Sequence, residues 1–191
     1  MRPSDKARLA EHNKYYRAYA LNPNYKMGKP RMAAAMDDLE ALPNRGAYVD
    51  IACGRGEMVK FASSIGFSPV MGTEIVQDLL KDPNIVYGEV HALPFDEKQF
   101  SVATMFDVIE HLIPGDDMAA CHELKRITRR HVLLTANNKP SFNKAKDDLH
   151  INKRPYEEWD RLFQAWFFPG RVTWLRDRDP RVSECWRVDF P

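Results

Sequence analysis

At 191 residues, 44% of them hydrophobic, the chain is long enough for one globular domain with a full core. Its net charge is +1, unevenly spread, and no apolar run approaches the roughly 20 residues that a membrane span needs. Cys53, Cys121 and Cys185 are odd in number, far apart and free of any C-x-x-C pair, so reduced thiols are expected, not a disulfide framework or a zinc site.

In chain order, residues 1–31 come first, with eight basic side chains (Arg2, Lys6, Arg8, Lys14, Arg17, Lys26, Lys29, Arg31) against Asp5 and Glu11. Tyr15, Tyr16, Tyr19 and Tyr25 lie among them. Positive charge interleaved with aromatic rings suits a cover for an anionic or nucleic-acid substrate. The plainer reading is an amphipathic lid helix whose tyrosines pack on a sheet edge and whose lysines face water. The opening residues MRPSDKARLAEHNKYY contain no apolar signal-peptide core, so a cytoplasmic location is expected. Residues 32–130 are by contrast acidic, with nine basic and sixteen acidic side chains.

The segment YVDIACGRGE, Tyr48–Glu57, then predicts a short strand, a glycine turn and a helix over Glu57–Ile65. Such a turn lets backbone N–H groups face a ligand, and Gly54 and Gly56 allow close approach because neither carries a Cβ. The strand–helix rhythm continues: a strand at Val70–Thr73 ending at Glu74, a helix near Gln77–Lys81, a strand at Ile85–Glu89, and a strongly apolar strand at Phe100–Phe106 stopping at Asp107. A helix over Met118–Arg129 and a strand at His131–Thr135 follow. Asp50, Glu74, Glu89 and Asp107 thus fall at the carboxyl ends of four successive strands, the edge where open α/β sheets bind ligands.

These segments resemble the class I, S-adenosylmethionine-dependent methyltransferases. The matching blocks are VDIACGRGE, Glu74 within GTEIV, GEVHALPF, FSVATMFDVIEHL and ELKRITRRHVLLTANN, spanning roughly Tyr48 to Asn138. The resemblance implies an α/β, Rossmann-like sheet, mostly parallel with an antiparallel C-terminal strand pair and helices on both faces, and S-adenosyl-L-methionine as cofactor. It also implies residue roles. Asp50, Ala52, Cys53, Gly54 and Gly56 would wrap the methionine part. Glu74, followed by Ile75, would accept both ribose hydroxyls; Glu89 and Val90 would border the adenine; Phe106 and Asp107 would face the sulfonium. Two positions depart from the family pattern. Ala52 stands where glycine is usual, so a negative φ is expected there. Glu89 stands where Asp is more frequent.

Two rivals are weakened by absences. The dinucleotide fingerprint needs a third glycine three residues after Gly56, where this chain has Val59, and no G-K-S or G-K-T phosphate loop occurs. Past Thr135, the loop Asn137–Arg154 leads to a helix with Pro155 at its N1 position and Trp159, Leu162, Phe163 and Trp166 on one face. Arg171–Leu175 and Glu184–Phe190 read as a strand pair joined by the turn Arg176–Arg181. One domain over 1–191 is expected, with residues 1–45 as a helical lid, 46–191 as the cofactor-binding core, and almost no sequence for a separate substrate domain. Acceptor contacts would then come from 1–45, the Asn137–Arg154 loop and the Arg176–Arg181 turn.

A sulfonium methyl is already electrophilic, so the protein's part is alignment, shielding and, for a hydroxyl or protonated amine, a base. His150, in the long loop bordering the pocket, is the preferred base; His111 is the second, although its strand-to-helix junction also suits a structural role. Glu110, His111 and His150 could hold a divalent cation, but nothing in their spacing requires one and none is expected. Base-amino methylation is disfavoured because Phe106-Asp107-Val108-Ile109 replaces the Asn/Asp-Pro-Pro-aromatic run of those enzymes. Cytosine-C5 chemistry is disfavoured because no Pro-Cys pair is present. A small-molecule acceptor, most simply a hydroxyl, is therefore expected. The alternatives are a nucleic-acid or protein acceptor held by residues 1–31, or a non-catalytic binding domain. Oligomeric state is left open.

Overall fold

Seven strands form one sheet in the computed structural model, which describes residues 3–175 and 184–191. In chain order the elements are α1 (Pro3–Leu21), α2 (Lys29–Glu40), β1 (Tyr48–Ile51), α3 (Glu57–Ser64), β2 (Val70–Glu74), β3 (Ile85–Tyr87), β4 (Phe100–Met105), α4 (Asp116–Ile127), β5 (Thr128–Ala136), α5 (Tyr156–Trp166), β6 (Arg171–Leu175) and β7 (Glu184–Asp189). The sheet order is β3-β2-β1-β4-β5-β7-β6. All neighbours are parallel except β7, which runs antiparallel to both β5 and β6. The order reverses between β1 and β4, and that switch point opens a crevice at the carboxyl ends of the strands.

Alternation along each strand fills both faces. Val49, Ile51, Ala103, Met105, Val132 and Leu134 pack on one side against α4 and α5, where Trp159, Phe163 and Trp186 are fully buried. Tyr48, Val102 and Leu133 point the other way, onto Leu39 of α2, Met58 and Ala62 of α3, and Phe67. The stripe expected on α5 is real: Trp159 and Phe163 stack with ring centroids 5.5 Å apart, and Leu162 and Trp166 pack at its margin.

Several boundaries differ from expectation. The helix expected near Gln77–Lys81 is a single 3-10 turn, Gln77–Leu79, because Pro83 withholds an N–H and turns the residue before it away from helix. α4 begins at Asp116 and stops at Ile127, so Thr128 and Arg129 are strand; Thr128 already pairs with Phe100 of β4. β3 ends at Tyr87, leaving Glu89 in the turn beyond, bridged to Ala92. Pro155 is the N-cap of α5 with ψ 146°, one residue outside the helix. The Arg176–Arg181 turn and Arg2 of the basic arm lie outside the described residues. Among those described, no helix is long and apolar enough to cross a membrane.

Candidate active site

A cavity of about 250 Å³ occupies the switch-point crevice. Its floor is the set of strand ends: Asp50, Ala52, Cys53 and Gly54 at the end of β1, Glu74 and Ile75 at the end of β2, Glu89 and Val90 beyond β3, Phe106 and Asp107 after β4. His111 and His150 line its far end. Ten of the expected cofactor residues and both histidines therefore meet around one space. Gly56 does not line it. With φ +74° it caps the N-terminus of α3, and a Cβ there would stand 2.9 Å from Ile85 Cδ1. Its part is to close the turn.

The turn departs from expectation at Ala52, whose φ is +56°, not negative. The chain keeps the left-handed backbone that glycine usually supplies here and accepts the strain of a methyl group. Gly54 shares φ +56°, which favours glycine, and a Cβ on it would lie 2.6 Å from Tyr19 Oη of α1 and force that ring to shift.

Glu74 is 4% exposed and held by three main-chain donors. The N–H of Gly54 donates to Oε2 at 2.9 Å, and those of Ile75 and Val76 donate to Oε1 at 2.8 and 3.1 Å. Burial pushes its pKa up, and the three N–H groups pull it back. Asp50 is tuned differently. Tyr48 donates to Thr104 Oγ1 at 2.6 Å, and Thr104 donates to Asp50 Oδ1 at 2.6 Å. With that hydroxyl as its side-chain partner among the described residues, burial raises Asp50 to about 7. Glu89 accepts the Tyr87 hydroxyl at 2.9 Å and faces His91 Nε2 at 3.4 Å, so its carboxylate sits at the cavity rim. Cys53 is buried, and burial pushes its thiol well above the ordinary range.

At the other end Asp107 has φ +54°, its N–H donating to Thr135 Oγ1 at 2.8 Å. Arg31 of α2 reaches in to it, Nε to Oδ2 at 2.6 Å, too bent for a hydrogen bond but close enough for an ion pair. The His111 ring, partly buried, hydrogen-bonds through Nδ1 to the Leu149 carbonyl at 2.8 Å; His150 does so to the Lys139 carbonyl at 2.6 Å. A carbonyl can only accept, so both rings carry their proton on Nδ1. Burial lowers both pKa values, that of His111 to about 3.

α1 lies over this edge. Arg8 is paired with both oxygens of Asp116 at the start of α4, Arg17 reaches Asp147 at 2.8 Å, and Lys14 donates to the Asp148 carbonyl at 3.2 Å. Tyr15 meets His111 edge-on at 5.5 Å, and Tyr19, packed against Tyr25, covers Gly54. Tyr15, Tyr19 and Tyr25 thus line the cavity itself and do not merely pack on a sheet edge, whereas Tyr16 is half exposed to water. Arg31 is the residue the sequence reading missed: it appears there as one charge of an arm, and nothing nearby in the chain signals its partner Asp107.

Residues 49–135 match the protein family described as a methyltransferase domain. Among curated protein sequences none matches the chain. Solved structures share its fold. The Burkholderia thailandensis 1,6-didemethyltoxoflavin-N1-methyltransferase, with bound 1,6-didemethyltoxoflavin and S-adenosylhomocysteine, aligns with TM-score 0.72 at 16% identity, covering 99% of this chain and 89% of that one. A chain in complex with the Haloferax volcanii Trm112 methyltransferase activator aligns with TM-score 0.69 at 11% identity, covering 95% and 96%. A SAM-dependent methyltransferase from Archaeoglobus fulgidus gives 0.61 at 15%, covering 83% and 92%. The family match covers residues 49–135, from β1 to β5, and with the sheet order it supports the resemblance to the class I, S-adenosylmethionine-dependent methyltransferases. The site suits S-adenosylmethionine: a fixed strand-end carboxylate, a glycine turn open to the cavity, and a buried acid at Asp50 with no cationic partner among the described residues.

Proposed function

We propose that the enzyme methylates the hydroxyl of a small molecule, with the cofactor lying along the strand ends from Glu74 to Asp107 and the acceptor at His150 and His111. The observation that carries this reading is the cover. α1, α2 and the turn between them cover the cavity with Tyr15, Tyr19, Tyr25 and Arg31, leaving a partly open, aromatic-lined space suited to a compact acceptor. The small-molecule acceptor of the Burkholderia thailandensis neighbour points the same way.

S-adenosylmethionine supplies a methyl group already activated by its positive sulfur. The chain's own residues then bind, align and shield. Glu74, immobilised by two N–H donors on Oε1 and one on Oε2, keeps the remaining lone pair of Oε2 for the ribose hydroxyls. Asp50, Ala52, Cys53 and Gly54 surround the methionine part, Ile75, Glu89 and Val90 the adenosine part, and Phe106 and Asp107 the reacting end. His150 and His111, neutral because they are buried and anchored through Nδ1, activate the acceptor oxygen through Nε2.

A nucleic-acid acceptor held by residues 1–31 is less well supported, since Arg8, Lys14, Arg17, Lys26 and Arg31 each pair with a carboxylate of the chain itself. Calorimetry with S-adenosylmethionine and S-adenosylhomocysteine, with NAD as control, comes first. Micromolar binding of both and none of NAD is expected. Binding without turnover across a panel of hydroxylated metabolites would favour a non-catalytic domain.

A further inference from the structure

The residue after Ile109 has no part in the reading above. Glu110 lies in the turn Ile109–His111 after β4, is 0% exposed, and neither carboxylate oxygen has a hydrogen-bond partner among the described residues. The N–H groups of Glu110 itself and of Asn137 approach it without reaching hydrogen-bond geometry, and the nearby Arg31 is engaged by Asp107. A buried carboxylate so placed calls for a cation or a proton.

Two imidazoles stand beside it. The rings of His111 and His150 meet edge to face with centroids 4.6 Å apart. Each donates Nδ1–H to a main-chain carbonyl, which sets the tautomer and orients the ring while leaving the Nε2 lone pair for another partner. A backbone carbonyl on the far nitrogen is the arrangement that fixes metal-binding histidines. One ligand atom from each of Glu110, His111 and His150 lies within 4.8 Å of the other two. A small contraction of side chains would bring them to the spacing of donors around a single ion.

We infer that Glu110, His111 and His150 form a binding site for one divalent transition-metal cation at the acceptor end of the cavity. Two imidazoles and a carboxylate suit zinc, cobalt, manganese or ferrous iron, whereas magnesium and calcium favour all-oxygen sets. Three protein ligands leave coordination positions free, and these face the cavity, because both histidines line it. The inference deepens the proposed methyl transfer and rests on it for its role. An acceptor hydroxyl at an open position becomes more acidic and releases its proton to solvent. Its oxygen bonds to the methyl carbon as the carbon–sulfur bond breaks, the electron pair staying on sulfur. His111 and His150 then act through the cation and do not take the proton themselves.

The test is a titration of the chelator-stripped full chain with cobalt(II) chloride, read by visible absorption and calorimetry, beside S-adenosylhomocysteine titration of the same sample. One equivalent of cobalt with nitrogen-ligand absorption bands is expected. Glu110→Gln and His150→Ala should weaken it about tenfold or more, with S-adenosylhomocysteine affinity changed less than about twofold. Absence of saturable cobalt uptake by the unaltered protein, or uptake equal in both variants, overturns the site. Cobalt bound with S-adenosylhomocysteine refused would instead overturn the cofactor placement and leave the cation site standing.

Discussion

Ala52 shapes the cleft with a left-handed backbone. A left-handed backbone at a non-glycine residue costs about 1–2 kcal/mol. Ala52→Gly removes that strain but also loses a packed methyl and adds freedom to the unfolded chain, each worth about 0.5–1 kcal/mol. Urea unfolding should therefore find Ala52→Gly within about 1 kcal/mol of the parent, while the β-branched Ala52→Val falls by about 2 kcal/mol or more. Asp50 makes a prediction about pH. Its carboxyl is held protonated by burial up to about 7. In the free enzyme the cost of ionising it is absent below the ordinary carboxylate range and complete above about 7, so its contribution lowers stability as pH rises through that window. A cationic cofactor beside it favours the ionised form, so S-adenosylmethionine affinity measured by calorimetry should climb from about pH 6 to about pH 8 and then level. Asp50→Asn should flatten the curve. Glu74→Ala should weaken S-adenosylhomocysteine about 10- to 100-fold, through the lost charge-assisted hydrogen bond and the loosened turn, in a chain whose circular dichroism is unchanged. Unchanged affinity would put the ribose elsewhere.

Among elements, α1 has the least secure hold on the core. Its contacts with the rest include the part-buried Arg8–Asp116 pair, the exposed Arg17–Asp147 pair, the Lys14 bond to the Asp148 carbonyl and the tyrosines over the cavity. Local opening of such a helix is governed by those few contacts. Arg8→Ala should speed amide hydrogen exchange within α1 about two- to fivefold, the worth of a partly exposed ion pair, and leave β1 and β4 unaffected. Exchange rising equally in the strands would mean that α1 is part of the global fold and not a separable cover. The same element shows the limit of charge counting. The arm reads as a basic patch in sequence, yet its cations find carboxylates on α3, on α4, after β4 and in the loop before α5.

For the whole molecule, cofactor binding and stability are one equilibrium. At a ligand concentration about 100 times Kd, S-adenosylhomocysteine should stabilise the native state by about 2.7 kcal/mol, which for a chain of this size raises Tm by roughly 5–10 °C in differential scanning fluorimetry. A chain indifferent to the ligand would contradict the placement of the cavity. The alternation of Val49, Ile51, Ala103 and Met105 against Tyr48 and Val102 already announces a sheet covered on both faces. So do the tight turn at Gly54 and the acids at successive strand ends, because local sterics, apolar period and chain direction need no distant partner. Boundaries next to Pro83, Thr128 and Pro155 were less legible, since a neighbouring strand or a missing N–H outweighs propensity there. What the amino-acid order determined alone is the sheet, the glycine turn and the carboxylates along one edge. Only the tertiary structure decided the sign of φ at Ala52, the tyrosines and Arg31 closing the cavity, and the meeting of Glu110 and His111 with His150. Those depend on how a helix at one end of the chain and a loop far from β4 dock on the same edge, and no local pattern encodes that long-range packing.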